Sequence, residues 1–312
     1  MTTRWFVLAL WAASASANCN NTTAIEITLF PGGAPDEVES IGPEAWVESD
    51  GETHVYNVSA PTLYYCKNTV QSSGASMIIS PGGGYEYLAI FKEGFDVATR
   101  LLDFFDAVFV LKYRVPERPE LPGLPKWWAP LQDAQRSVSF VRARADELGL
   151  RSDRIGFMGF SAGGHLAVHI STAWDPRIYQ SNDLIDDVSR RPNFAAGIYP
   201  WEIVVDNLTA LSPEVSNVTS ATPPCFLVHA ADDPTAYFQN SVVYFERLVA
   251  AGVTATSLEI GPFGEHGFAL CQSLAAPALV CDWPYRLKQW LLWSLGVLVN
   301  ATAPPGFRVA PS

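Results

Sequence analysis

The stretch Arg154-Ile155-Gly156-Phe157-Met158-Gly159-Phe160-Ser161-Ala162-Gly163-Gly164-His165 constrains this chain more than any other. A short apolar run, Ile155 to Phe160, ends in Gly-x-Ser-x-Gly, and Ala162, Leu166, Ala167 and Ile170 follow at helical spacing. That order is strand, sharp turn, helix, the context in which Gly-x-Ser-x-Gly lifts a serine out of a parallel sheet. A serine in such a turn carries a strained backbone, and Gly159 and Gly163 remove Cβ atoms that would collide with it. A glycine-rich turn of a Rossmann-like unit reads the same way locally, with an idle serine. The motif alone does not separate the two.

The surrounding pattern is alternating. Strands are expected at Ile25–Phe30, within Val55–Tyr65 (interrupted by Pro61), and at Ala75–Ser80, Ala107–Tyr113, Ile155–Phe160, Phe194–Tyr199, Phe226–Val228 and Thr254–Ile260. Helices are expected at Glu93–Phe104, Phe238–Ala251 and Tyr285–Val299. A further long amphipathic helix runs through Leu131, Ala134, Val138, Val141, Ala145 and Leu148 to a stop at Gly149. Pro31–Asp50 reads as an irregular arm and Glu202–Pro224 as a surface excursion. The proline-rich segment Pro116–Pro130, with Trp127 and Trp128, reads as a rigid loop whose tryptophans pack. Such alternation implies an α/β fold, a mostly parallel sheet with helices on both faces, in one domain over residues 18–312.

Arg4, the apolar segment Trp5–Ala13 and Ala15-Ser16-Ala17 have the layout of a signal peptide over residues 1–17. Six Asn-x-Ser/Thr sequons, at Asn20, Asn21, Asn57, Asn207, Asn217 and Asn300, fit a secreted glycoprotein. In that oxidising setting Cys271 and Cys281 are the expected bridge, Cys19 and Cys66 a second pair, and Cys225 a buried thiol. No two cysteines fall at a zinc-ligand spacing, so no metal is expected. A net charge of −12 argues against nucleic acid or an anionic membrane as partner. The apolar run near Trp290 is interrupted by Lys288 and Gln289, and is expected to pack in the core and not to insert stably in a membrane.

An acyl-transfer serine needs a base, an orienting acid and donors for the oxyanion. Five histidines are available: His54, His165, His169, His229 and His266. His266 lies in a loop after the last expected strand, where a doubly wound sheet delivers a side chain to its carboxyl edge. His165 and His169 share one face of the elbow helix and read as structural. The acid belongs between serine and base in chain order. Asp233 is preferred, with adjacent Asp232 the alternative; one of the two is left to cap the turn. Gly82-Gly83-Gly84 after an early strand lets backbone approach a ligand closely. Gly83, Gly84 and Ala162 are therefore the expected oxyanion donors.

Taken together, Pro81-Gly82-Gly83-Gly84-Tyr85, Leu111-Lys112-Tyr113-Arg114, Leu131 to Arg136, Arg154 to His165 and the Asp233 and His266 turns resemble a known set. They are similar to α/β-hydrolases of the bifunctional feruloyl and acetyl-xylan esterase-like (BD-FAE-like) family, from about Ile25 to Leu295. The resemblance implies serine-dependent deacylation of small-molecule or polysaccharide esters, often on plant cell walls, without a cofactor. Two stretches depart from the family pattern: Pro234-Thr235-Ala236-Tyr237 after the acid, and the cysteine-bearing loop after His266. Two other readings remain: a serine peptidase of the prolyl-oligopeptidase kind, which usually carries a gating domain, and a non-enzymatic binding module on the same fold.

Overall fold

Residues 19–37, 41–49, 51–68, 73–118, 123–205, 207–272, 274 and 278–298 are described by a computed structural model. The expected signal peptide and the sequon at Asn300 lie outside them. In chain order the elements are β1 (Ile25–Thr28), β2 (Ala45–Ser49), β3 (Glu52–Tyr56), β4 (Thr62–Lys67), β5 (Ser76–Ser80), α1 (Asp96–Leu101), β6 (Ala107–Lys112) and α2 (Trp128–Ala143). They continue with α3 (Ala145–Leu148), β7 (Ile155–Phe160), α4 (Ala162–Thr172), β8 (Phe194–Ile198), β9 (Cys225–Ala230), α5 (Gln239–Ala250), β10 (Ser257–Gly261) and α6 (Trp283–Trp293).

Eight strands form one sheet in the order β1-β4-β6-β5-β7-β8-β9-β10. From β6 to β10 every pairing is parallel, whereas β4 runs antiparallel to both β1 and β6. Every residue of β6, β5, β7, β8 and β9 is buried, which is why these segments read as unbroken apolar runs instead of alternating ones. Alternate side chains of β8 and β9 feed two separate cores. Ala195, Cys225 and Leu227 pack with Val168 of α4 and with Tyr244 and Leu248 of α5. Phe194 and Phe226 turn the other way, onto Trp290 of α6. Helices therefore cover both faces, and the α/β expectation holds.

The strand order also locates the functional edge. From β5 the chain crosses one way to β6, then returns to β7 and proceeds the other way to β10. The order reverses between β5 and β7, and a crevice opens at the carboxyl ends of strands flanking such a reversal. The Gly82–Gly84 turn leaves β5 there, and Ser161 leaves β7 beside it.

Four local expectations need correction. The Pro31–Asp50 arm is not wholly irregular, because β2 pairs with β3 in a two-stranded hairpin closed through a left-handed Gly51. The Glu93 helix opens with a π-helical turn, Phe91–Phe95, before α1. The long helix is broken at Arg144, whose backbone leaves the helical region, giving α2 and a short α3 that ends at left-handed Gly149. Glu202–Pro224 is more than a surface excursion, since Ile203 and Val215 are buried in the core beside α4. Helix α2 also buries Gln132, Asp133, Gln135 and Arg136, so its polar positions face protein. Asp133 pairs with Arg114, and Arg136 with Asp183 and Asp186.

Both expected disulfides are present: Cys19–Cys66 ties the N-terminal segment to β4, and Cys271–Cys281 closes the loop after His266. Cys225 is a buried free thiol. No helix among the described residues is long and apolar enough to cross a membrane.

Candidate active site

Ser161 is the first residue beyond β7 and has φ 52° and ψ −118°, a conformation that L-residues rarely hold. The turn is tight enough that a Cβ on Gly159 would strike the Gly163 carbonyl, and one on Gly163 would strike the Ser80 carbonyl. Backbone blocks both positions, so the two motif glycines are steric requirements. The Ser161 N–H donates to Ile198 O at 3.1 Å, and its carbonyl accepts from His165 N at 2.9 Å and Trp201 N at 3.1 Å. The serine backbone is thus fastened to β8, to α4 and to the segment after β8.

The Ser161 hydroxyl lies 2.9 Å from His266 Nε2, and His266 Nδ1 lies 2.7 Å from Asp233 Oδ2. Because Asp233 can only accept, Nδ1 carries the proton and Nε2 is left free to take one from Ser161. Asp233 Oδ1 accepts from the N–H groups of Thr235 and Ala236, each at 2.8 Å. His229 stands behind this turn, with Nε2 2.6 Å from Ala236 O and 3.5 Å from Asp233 Oδ2, and Nδ1 2.8 Å from Ser241 Oγ. Burial pushes the Asp233 carboxyl up. Hydrogen bonds from His229, His266 and the Ala236 N–H, with the His266 charge, outweigh that and hold it below the usual carboxylate range.

The adjacent aspartate has a different task. Asp232 is exposed and accepts from Glu265 N at 2.9 Å, bracing the loop that carries His266. Among the described residues its side chain makes no hydrogen bond with the imidazole. The two aspartates of the turn thus point different ways, Asp233 toward the histidine and Asp232 toward the Glu265 backbone.

The glycine turn after β5 is held by its carbonyls. Gly82 O accepts from Ala89 N at 3.0 Å, and Gly83 O accepts from Glu86 N at 2.9 Å and Tyr87 N at 3.2 Å. Planar trans peptides put each following N–H on the opposite side, so the N–H groups of Gly83 and Gly84 point away from that scaffold. Neither group, nor the N–H of Ala162 at the start of α4, has an acceptor among the described residues. Gly82 itself packs against Ser161, since a Cβ there would lie 2.9 Å from the Ser161 Cβ. Its N–H is engaged elsewhere, by Glu93 Oε2 at 2.7 Å.

His165 and His169 are buried in α4, as a structural role requires. His165 Nδ1 is 2.7 Å from the Tyr85 hydroxyl, and His169 packs edge-on to Trp127 at 4.4 Å. Burial, then the neighbouring His165, keeps His169 well below the ordinary histidine range, so it is neutral. His54 stacks on Tyr87 at the β2–β3 hairpin. Trp128 donates to Asp36 Oδ2 at 3.1 Å, and the paired tryptophans pack as expected. An open cleft of about 450 Å³ lies beside the His266 loop, with Glu52, Phe91, Lys92, Asp96, Phe268 and Gln272 in its wall. No group of three His, Cys, Asp or Glu side chains among the described residues is placed to hold a metal ion.

Three residues at the site escaped the sequence reading. His229 was visible only as a rival base, whereas its position puts it behind Asp233. Tyr199 directly follows β8 with φ 39° and packs against His266 at 5.1 Å between ring centres. Glu93, the first residue of the helix expected at Glu93–Phe104, is buried.

Residues 65–194 match the BD-FAE family model, a span that holds the glycine turn and the elbow but stops short of Asp233 and His266. An acetylxylan esterase of Xylanibacter ruminicola is 28% identical over 218 residues, covering 63% of this chain and 41% of the relative. An endo-1,4-beta-xylanase B of Butyrivibrio fibrisolvens is 25% identical over 242 residues, covering 72% of this chain and 37% of the relative. The chain thus spans about two-fifths of the length of these curated relatives. Among solved structures, an acetyl ester-xyloside bifunctional hydrolase from Caldicellulosiruptor lactoaceticus superposes with a TM-score of 0.67 and 29% identity, covering 88% of this chain and 97% of its own. With the reversed strand order and the strained serine at its crevice, the chain is an α/β-hydrolase similar to the BD-FAE esterases.

Proposed function

We propose that this protein is a secreted serine carboxylesterase. The observation that carries the reading is the continuous relay Ser161–His266–Asp233 at the strained turn after β7. In this mechanism the Ser161 Oγ attacks the ester carbonyl carbon while its proton passes to His266 Nε2. Asp233 stabilises the resulting imidazolium. The carbonyl oxygen, now an alkoxide, is held by the N–H groups of Gly83, Gly84 and Ala162. Collapse of the tetrahedral intermediate expels the alcohol, which takes its proton from His266. Water, deprotonated by the same imidazole, then releases the acid from the acyl-serine.

The proposed substrates are acetyl or feruloyl esters of plant cell-wall polysaccharide, a reading supported by the activities named for the acetylxylan esterase and acetyl ester-xyloside hydrolase relatives. The mixed aromatic and charged wall of the cleft beside the loop after His266 suits a hydroxylated alcohol. Export is supported by the two disulfides, and the exposed sequons at Asn21, Asn207 and Asn217 are proposed glycosylation sites.

The test sets p-nitrophenyl acetate against a dipeptide anilide, with a fluorophosphonate label and acetylated xylan as further arms. The ester is expected to turn over and the anilide not, with the label on Ser161. Ser161→Ala is expected to lose on the order of 10⁶ in kcat while keeping its fold. A folded Ser161→Ala protein within tenfold of wild type sinks the mechanism, and release of neither acetate nor ferulate from xylan esters refutes the substrate class.

A further inference from the structure

Glu93 is a buried carboxylate that the relay does not use, and it lies where two parts of the site meet. Its Oε2 accepts from Gly82 N at 2.7 Å, in the glycine turn that supplies the oxyanion donors. Its Oε1 accepts from the Tyr199 hydroxyl at 2.8 Å. The same hydroxyl accepts from Ala269 N at 3.0 Å, three residues beyond His266. A phenol has one proton, and Ala269 N–H can only donate, so the Tyr199 proton must point at Glu93. Every donor in this chain therefore has a fixed direction, running Ala269 to Tyr199 to Glu93, with Gly82 on the other oxygen.

We propose that Glu93 is a positioning residue that locks the oxyanion turn and the His266 loop into one register. The proposal rests on the esterase reading and deepens it. Gly82 abuts the Ser161 side chain, so a rotation of the Pro81–Gly82 peptide shifts the Gly83 and Gly84 N–H groups relative to the nucleophile. Tyr113 donates to Pro81 O at 2.6 Å and holds the start of the turn, but among the described residues only Glu93 reaches the Gly82 N–H. On the other arm, Tyr199 packs on both His266 and Phe268, so its hydroxyl sets where the loop sits over the ring. Burial pushes the Glu93 carboxyl up, opposed by the Tyr199 and Gly82 hydrogen bonds and then by the His266 and Lys92 charges. A carboxylate placed this way is costly unless fully bonded, and both its oxygens are bonded here.

Glu93→Gln keeps the volume but breaks one arm. With its oxygen toward Gly82, the amide NH₂ faces Tyr199 and leaves the phenol proton without an acceptor. Turned over, the NH₂ meets the Gly82 N–H head-on. A displacement of about 1 Å at a reacting group costs on the order of 100-fold, and loss of an oxyanion donor costs about 10²–10³. The expected result for Glu93→Gln is a fall in kcat of roughly 10- to 100-fold on p-nitrophenyl acetate, with KM within about threefold.

The decisive readout is affinity for a boronic acid, which mimics the tetrahedral intermediate and is expected to weaken by the same factor as kcat. A residue needed only for folding lowers the active fraction and leaves both quantities unchanged per labelled site. Tyr199→Phe keeps the ring packing, removes only the hydroxyl, and answers the question if Glu93→Gln does not fold. It is expected to lose about tenfold in kcat. Either variant at wild-type kcat and boronate affinity per labelled site overturns the proposal. So does a kcat loss without weaker boronate binding. The esterase reading is judged separately on the unaltered protein: if it neither labels nor hydrolyses ester, both fall. If it does and Ser161→Ala does not, only the Glu93 variants decide.

Discussion

Asp233→Asn is the most informative single change, because the structure dictates how the new amide must sit. Asp233 Oδ1 accepts two backbone N–H groups, from Thr235 and Ala236, and Oδ2 faces His266 Nδ1. An asparagine that turned its NH₂ toward the backbone would oppose two donors with a third. It will instead keep its oxygen there and present NH₂ to the imidazole. His266 must then accept at Nδ1, which moves the ring proton to Nε2, the atom 2.9 Å from Ser161 Oγ. A protonated Nε2 takes no proton from serine.

The resulting loss is that of a wrong tautomer with intact geometry, about 10⁴ in kcat, or roughly 5.5 kcal/mol of transition-state stabilisation. Asp232→Asn is the control. Among the described residues Asp232 accepts only from Glu265 N, and an amide oxygen serves that bond equally, so kcat is expected to stay within a few-fold. The assay is initial-rate hydrolysis of p-nitrophenyl acetate, with circular dichroism to establish that both variants are folded. Asp233→Asn within tenfold of wild type, or Asp232→Asn as the more damaging of the pair, refutes the assignment.

Two further outcomes follow from the same contacts. Asp233 has a depressed folded-state pKa, so its stabilisation is fully present above the unfolded value of about 3.9 and fades progressively as pH falls from there to the lower folded value. The melting-temperature gap between wild type and Asp233→Asn is therefore expected to be constant near neutrality and to narrow below about pH 4; a gap unchanged down to pH 3 contradicts this. Replacing Cys271 and Cys281 together with serine frees a ten-residue separation immediately after His266. The chain-entropy model predicts about 2.5–3 kcal/mol, or roughly 5 °C by differential scanning calorimetry. A loosened His266 loop should lower kcat by more than that stability loss implies, so a variant with full kcat per labelled site would refute the coupling to catalysis.

Much of the site was legible because its parts are local. Gly159 and Gly163 announce the elbow since backbone collision forbids any side chain there, and that constraint is written within five residues. Gly83, with φ 129°, belongs to the same class. His266 was identifiable from chain order alone, as the histidine that follows the last strand. Asp233 and Asp232 were harder, being neighbours on one turn with identical chemistry. They separate only in space, where one is 4% exposed against the histidine and the other faces solvent.

By itself the sequence determined the alternation of strands and helices, the position of the serine turn and the chain order of Ser161, Asp233 and His266. Each of these depends on near-neighbour sterics or on periodic burial, which a linear pattern carries directly. Only the tertiary structure decided that Glu93 is buried beneath the glycine turn, because an acid in the first turn of a helix is ordinarily a surface residue favoured by the helix dipole. It also decided that Tyr199 joins Glu93 to the His266 loop, across 106 residues on one side and 70 on the other. Such contacts exist because parallel strands far apart in the chain end at one edge of the sheet. Their residues become partners through strand order, and strand order is a property of the packed sheet rather than of any segment within it.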